Sequence, residues 1–308
     1  MKAKQDTFNN LESCKYIENL PGNFKYQVKA VFSDIDDTIK DLKKRTFEEG
    51  ISKNTFYAAK MLNENSIMFV LCSGRTYEES KGVAEYLNMA NQSIITLQGA
   101  EIRTASGITI YQNSIILKDA LNILKTFEIT KKQHNLNSKI IYYIKGKPYS
   151  NEKFTLPFNW EEINLVIPFD IINNDNLPSK ILVYEDNIRD LNLICNILQE
   201  KYPEYNIKIT INSYLEIVNS STSKGTAIEW FARQHNLDFK NIAVIGDGIN
   251  DIEMFETVNK NGGLSIAMGN AVDELKKCAL FITDTIYNDG FKLAIESIID
   301  NNLCIAPQ

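Results

Sequence analysis

Three stretches of this chain are apolar without alternation, and each runs straight into a polar residue. Ile67 to Cys72 reads IMFVLC and meets Ser73. Ala30-Val31-Phe32 meets Ser33-Asp34, and Ile242 to Ile245 reads IAVI and meets Gly246-Asp247. A strand with one wet face alternates polar and apolar residues. A strand of a parallel sheet is covered on both faces and stays apolar throughout. Helical segments separate these runs: Ser52 is placed to cap a helix carrying Phe56, Ala59 and Leu62, and a second begins at Ser223 with Ala227, Ile228 and Phe231. The alternation predicts an α/β fold around a parallel sheet.

The alternation breaks between residues 106 and 213, where mixed strands, helices and a turn at Lys145-Gly146-Lys147-Pro148 read as an inserted α+β domain. The expected division is an N-terminal arm at 1–28 with a turn at Pro21-Gly22-Asn23, a core domain at 29–105 and 214–308, and the insertion at 106–213. The 308 residues, 44% apolar and 23% charged, suit a globular protein of one large or two ordinary domains. A net charge of −6 argues against tracking nucleic-acid phosphates, so no nucleic-acid partner is expected. No run of about 18 apolar residues predicts a membrane span, and no apolar stretch follows Lys2 and Lys4 to make a signal peptide. Five cysteines with no CxxC pair fit a reducing, cytoplasmic setting. The two histidines, His134 and His235, are too few for a His-rich zinc site and read as helix-end residues.

In a parallel sheet, ligands sit beyond the carboxyl ends of the strands. Asp34, Asp36, Ser73, Lys224, Asp247 and Asp251 all fall at such places. Each alone has an ordinary reading as a turn former, a cap or a solvated charge. Together they do not, because Asp34, Asp36 and Asp37 crowd three carboxylates into four residues and like charges repel unless a cation offsets them. Mg²⁺ takes carboxylates, water and phosphate oxygens, and Asp34 and Asp247 can supply the carboxylates, with Asp251 one turn further on. The helix start at Lys224 and the N–H groups of Gly74 and Arg75 beside Ser73 make two anion-binding clusters. These are the parts of a phosphoryl-transfer site. Asp34 suits a nucleophile and Asp36 a general acid and base, with Mg²⁺, Lys224 and Ser73 stabilising charge on the phosphoryl oxygens. Arg75 reads either as a substrate-binding cation or as half of a structural ion pair. Tyr142, Tyr143, Trp160 and Phe169 read as core residues of the insertion, with stacking on a substrate as the second reading.

The order Asp34-x-Asp36-x-Thr38, Ser73 after an apolar strand, Lys224-Gly225, and Gly246-Asp247-x-x-Asn250-Asp251 resembles the haloacid dehalogenase (HAD) superfamily. Met268-Gly269-Asn270-Ala271 and Asn288-Asp289-Gly290 are similar to its Cof-type phosphatases. The resemblance covers residues 29–105 and 214–308. It implies a Rossmann-like core and a Mg²⁺-dependent phosphatase acting on a small phosphomonoester, with sugar phosphates the leading class, through an aspartyl-phosphate. It also implies a metal held by Asp34, Asp247 and the Asp36 carbonyl, with Asn250 and Asp251 supporting the metal and phosphate site. The 151 residues from Ser73 to Lys224 leave room for a large insertion and resemble the C2 type of cap, its B subtype by the Cof-like motifs. Three departures stand out. Asp37 replaces a usual Gly, Gln98-Gly99-Ala100 replaces Asn-Gly-Ala, and residues 218–222 lack the usual Pro and Gly. A phosphomutase and a non-catalytic phosphate sensor on the same fold are the alternatives. A dinucleotide site at Gly246-x-Gly248 is disfavoured, because Asp251 takes the third glycine position and would repel a pyrophosphate.

Overall fold

A computed structural model describes residues 15–16, 27–89, 92–154, 164–165, 168–211 and 213–305. They form two compact units, one of residues 1–108 and 223–308 and one of 109–222. The first unit opens with β1 (Lys15–Tyr16), β2 (Ala30–Ser33), α1 (Phe47–Gly50), α2 (Lys53–Glu64), β3 (Met68–Cys72), α3 (Tyr77–Tyr86), β4 (Ile94–Thr96) and β5 (Glu101–Arg103). The second contains β6 (Thr109–Gln112), α4 (Leu117–Gln133), β7 (Lys139–Ile144), β8 (Lys147–Ser150), β9 (Asn164–Leu165), α5 (Pro168–Ile171), β10 (Pro178–Tyr184), α6 (Ile188–Lys201), β11 (Tyr205–Ile211) and β12 (Tyr214–Asn219). The first resumes with α7 (Lys224–Gln234), β13 (Ile242–Gly246), α8 (Ile252–Lys260), β14 (Leu264–Ala267), α9 (Asp273–Cys278), β15 (Phe281–Ile282) and α10 (Gly290–Ile305).

Strands of the first unit lie in the order β1-β15-β14-β13-β2-β3-β4-β5. All neighbours are parallel except β4 and β5. Ala30, Val31 and Phe32 of β2 and Ile242 to Ile245 of β13 are fully buried, as unbroken apolar runs require. Phe32 packs edge-on to Phe231 of α7, and Phe69 of β3 lies against Phe291 of α10. From β2 the chain winds outward through β3 and β4 on one side and returns through β13, β14 and β15 on the other. That reversal is where such sheets open a crevice at their carboxyl edge. The antiparallel β4–β5 pair departs from the all-parallel expectation. Only Leu97 to Ala100 joins the two strands, too short for a crossover helix and long enough for a tight reversal.

In the second unit β11-β12-β10-β7-β8-β9 form a sheet that is antiparallel except for the β8–β9 pair. Ile140, Tyr142, Ile181, Val183, Leu215 and Ile217 share one core with Phe127 of α4 and Ile194 of α6. The turn expected at Lys145-Gly146 is a two-residue hairpin with both residues at positive φ, the conformation that matches the twist of its strands.

Two expectations are corrected. The second unit ends at Thr222, not at Ser213. Tyr214–Asn219 pairs with both β10 and β11, so hydrogen bonding holds it in that sheet and chain order alone misassigned it. The N-terminal arm is not only a surface appendage. Lys15–Tyr16 adds a parallel edge strand beside Phe281–Ile282. The turn at Pro21-Gly22-Asn23, Cys14, Trp160 and the side chains of Phe169 and Cys304 lie outside the described residues. Cys72, Cys195 and Cys278 are free thiols. Tyr142 and Tyr143 are buried, in keeping with the core reading. His134 and His235 each close a helix, α4 and α7. No described helix is long and apolar enough to cross a membrane.

Candidate active site

β2 and β13 are neighbours in register, and the Asp34 N–H donates to the Ile245 carbonyl at 3.0 Å. The residues that leave these strands, Asp34 and Asp247, are therefore neighbours as well. Ser73 leaves β3 on the other side of β2, with its N–H on the Ile95 carbonyl. The parallel register by itself gathers three of the sequence-predicted groups along one edge.

A fourth comes from α7. The Ser223 hydroxyl accepts from the Thr226 N–H, and the Ser223 N–H donates back to the Thr226 hydroxyl, which fixes where the helix starts. Lys224 is then the first helical residue, 1% exposed, and its Nζ donates to Asp34 Oδ1 and to Asp251 Oδ1, both at 2.6 Å. The other Asp251 oxygen accepts from the N–H groups of Asp247 and Gly248 at 3.0 and 2.9 Å. Asp251 thus holds both the lysine and the loop after β13.

Asp34, Asp247 and Asp251 bring carboxylate oxygens within 4.8 Å of one another. Burial raises the pKa of Asp34 well above the usual carboxylate range, with Lys224 opposing and Asp251 and Asp36 adding to the rise. Burial, Asp251 and Asp37 push Asp247 up to about 7, against a 3.2 Å hydrogen bond from the Thr38 hydroxyl. Burial would lower the Lys224 pKa, but Asp251 and Asp34 outweigh it and the ammonium is held charged. One cation among two buried acids and a half-buried third leaves negative charge uncompensated once they ionise. An all-oxygen donor set with surplus negative charge fits a hard divalent ion. Asp34 and Asp247 would hold such an ion, each with one carboxylate oxygen that meets no donor among the described residues. Asp251 is engaged at both oxygens and supports them, and the Asp36 carbonyl accepts no backbone N–H among the described residues.

Arg75 takes the second of its two sequence readings. Its Nε and Nη2 donate to the two carboxylate oxygens of Asp36 at 2.8 and 2.6 Å. That bidentate grip is the ion pair of the second reading, and it uses the Nε and Nη2 donors of the guanidinium. It also raises the arginine's own pKa against the lowering effect of burial. Ser73 is 1% exposed and its hydroxyl accepts from the Arg75 N–H at 3.2 Å, while the Gly74 N–H meets no acceptor among the described residues. Asn250 makes no hydrogen bond to the acids among the described residues. Its Nδ2 donates to Gln98 Oε1 at 3.1 Å.

Two residues escaped the sequence reading. Gln98 lies against Gly74 and on Asn250, and its only sequence signal was a departure from the Asn-Gly-Ala pattern. Asn270 donates to the Asp37 carbonyl and accepts from the Ile286 N–H, both at 2.8 Å, so the Met268-Gly269-Asn270-Ala271 motif latches the turn that carries Asp36.

Residues 31–295 match the family of haloacid dehalogenase-like hydrolases. The chain belongs to that family. The hydrolase is 29% identical over 273 residues to a Haemophilus influenzae protein named as a phosphatase, covering 87% of this chain and 97% of the other. It is 25% identical over 274 residues to a 5-amino-6-(5-phospho-D-ribitylamino)uracil phosphatase of Bacillus subtilis, covering 87% and 94%. A haloacid dehalogenase-like hydrolase from Bacteroides thetaiotaomicron shares its fold with a TM-score of 0.75 at 23% identity, over 88% of this chain and 99% of the other.

Proposed function

We propose that this hydrolase is a Mg²⁺-dependent phosphatase of small phosphomonoesters that works through an aspartyl-phosphate on Asp34. The observation that carries this reading is the buried Lys224 ammonium between Asp34 and Asp251, with Asp247 alongside. Lys224 occupies Asp34 Oδ1, and Oδ2 has no donor among the described residues, so one oxygen is oriented and the other is free to attack.

In the first step an Asp34 oxygen bonds to phosphorus as the bond from phosphorus to the leaving oxygen breaks, and Asp36 gives that oxygen its proton. In the second, Asp36 takes a proton from water, the water oxygen bonds to phosphorus, and the Asp34–phosphorus bond breaks to release inorganic phosphate. Mg²⁺, held by Asp34, Asp247 and the Asp36 carbonyl, would neutralise charge on the phosphoryl oxygens. Lys224, Ser73 and the Gly74 N–H stabilise the same oxygens. Arg75 grips both Asp36 oxygens, so one of these two hydrogen bonds must open for Asp36 to carry the proton it gives. The substrate proposed is a phosphorylated sugar or sugar alcohol, supported by the phosphoribityl compound in the name of one relative. The inserted unit is proposed to act as the cap that selects it.

The test is phosphate release from a panel of sugar phosphates, nucleotides and pyridoxal phosphate, with and without EDTA, for wild type beside Asp34→Asn and Asp36→Asn. Wild type should release phosphate only with Mg²⁺, and Asp34→Asn should release none. Asp36→Asn should accumulate the phosphoenzyme. Undiminished turnover by Asp34→Asn, or a rate indifferent to EDTA, would overturn the reading.

A further inference from the structure

The turn between β4 and β5 is the most strained backbone near the site. Leu97, Gln98 and Gly99 have φ of 51°, 60° and 94° in succession. Glycine tolerates this region, but a non-glycine residue there costs roughly 1 kcal/mol or more, and such strain gathers at functional sites. Among the described residues Leu97 is the only apolar residue at positive φ. The surroundings enforce the conformation. The Leu97 N–H donates to the Arg75 carbonyl at 2.9 Å and the Gln98 N–H to the Ser73 carbonyl at 3.1 Å. Gly99 sits so close to the start of α7 that a Cβ there would collide with the Ser223 carbonyl. One three-residue turn therefore braces the Ser73–Arg75 turn and the beginning of the Lys224 helix.

The strain places one side chain. Gln98 lies over Gly74, filling the space that a Cβ on Gly74 would need with its Nε2. Its Oε1 accepts from Asn250 at 3.1 Å, which fixes which end of the amide faces which loop. The Nε2 hydrogens have no acceptor among the described residues, and neither does the adjacent Gly74 N–H. Two unspent donors thus stand side by side at the end of β3, next to the Ser73 hydroxyl.

We propose that Gln98 is a phosphate-binding residue: oriented by Asn250, its Nε2 donates to a phosphoryl oxygen beside the Gly74 N–H. This rests on the phosphatase reading for its substrate, but its binding test does not depend on turnover. The strained turn is then the means of holding the donor in place before the anion arrives.

The experiment measures the dissociation constant of inorganic phosphate by calorimetry on the Mg²⁺-loaded protein, with p-nitrophenyl phosphate turnover in parallel. The variants are Gln98→Gly, Gln98→Leu and Gln98→Glu, each with its melting temperature. Gln98→Gly relieves the backbone strain and deletes the donor, so it should melt no lower than wild type while phosphate binds roughly tenfold more weakly. That fold-change is the loss of one hydrogen bond to a charged group. Gln98→Leu should weaken binding equally, and Gln98→Glu further, by charge repulsion. The Michaelis constant for p-nitrophenyl phosphate should rise more than kcat falls. Wild-type phosphate affinity in a folded Gln98→Gly or Gln98→Leu protein would overturn the proposal, as would a wild type that binds no phosphate. A wild type that binds phosphate through Gln98 yet hydrolyses nothing would sustain the proposal and defeat the phosphatase reading.

Discussion

At the scale of single residues, Lys224 and Asp37 show two ways in which a side chain meets its surroundings. Lys224 is buried between two carboxylates, so its removal leaves Asp34 and Asp251 desolvated and unpaired. Lys224→Met is expected to abolish turnover and to lower metal-free stability by about 3–5 kcal/mol, the usual cost of breaking a buried ion pair. Urea denaturation reads the second effect, and an unchanged midpoint would mean that the acids simply take up protons. Asp37 has φ of 50°, the left-handed conformation that explains why a glycine is usual there. Its side chain offsets part of that strain by accepting from the Leu42 N–H at 3.0 Å on the surface. Asp37→Gly should leave stability within about 1 kcal/mol of wild type and turnover within roughly twofold, because relief of strain and loss of an exposed hydrogen bond nearly cancel. The departure from the family pattern at this position was legible in the sequence. Its consequence was not, because φ is a property of the folded turn.

At the scale of elements, helix starts and strand ends position the chemistry. The cap at Ser223 makes Lys224 the first residue of α7, from where its ammonium meets Asp34. Ser223→Ala removes that cap and should cost about 1 kcal/mol, read as a lower melting temperature. Turnover should fall with it, and a variant that melts lower but turns over at the wild-type rate would show that Lys224 is held by its acids alone. The Ser52 cap and the helix start at Ser223 were legible because a helix start is a local pattern within four residues. The β4–β5 reversal was not legible. Leu97-Gln98-Gly99 carries little turn chemistry of its own, and the two consecutive left-handed residues are imposed by the Ser73 and Arg75 carbonyls and by the backbone of α7. The position of β12 was hidden for a related reason, since its pairing with β10 and β11, and not its own residues, holds it in that sheet.

At the scale of the whole molecule, the central question is how a fold tolerates a buried acidic cluster. In the metal-free protein Asp247 is protonated up to about pH 7, while in an unfolded chain it ionises near pH 4. The folded state then binds the extra proton between those values, so this group's contribution to stability is present at low pH and is lost as pH rises towards 7. Mg²⁺ needs the carboxylate ionised and takes the place of that proton. Added Mg²⁺ should therefore raise the melting temperature little at pH 5.5 and more at pH 7.5, and equal increments at both values would contradict a metal bound through Asp247. What the sequence determined by itself was the kind of chemistry. Apolar runs ending in Asp34, Ser73 and Asp247, and a capped helix beginning at Lys224, are local patterns whose meaning follows from strand burial and helix geometry. What only the tertiary structure decided was the pairing of groups distant in the chain. Arg75 binds Asp36, Asp251 holds Lys224, and Gln98 spans Gly74 and Asn250. Each of those contacts is set by the order and register of β13, β2, β3 and β4 and by the turn that follows β4. A charged or amide side chain takes whichever partner packing brings within hydrogen-bond reach, and sequence spacing carries no record of that distance.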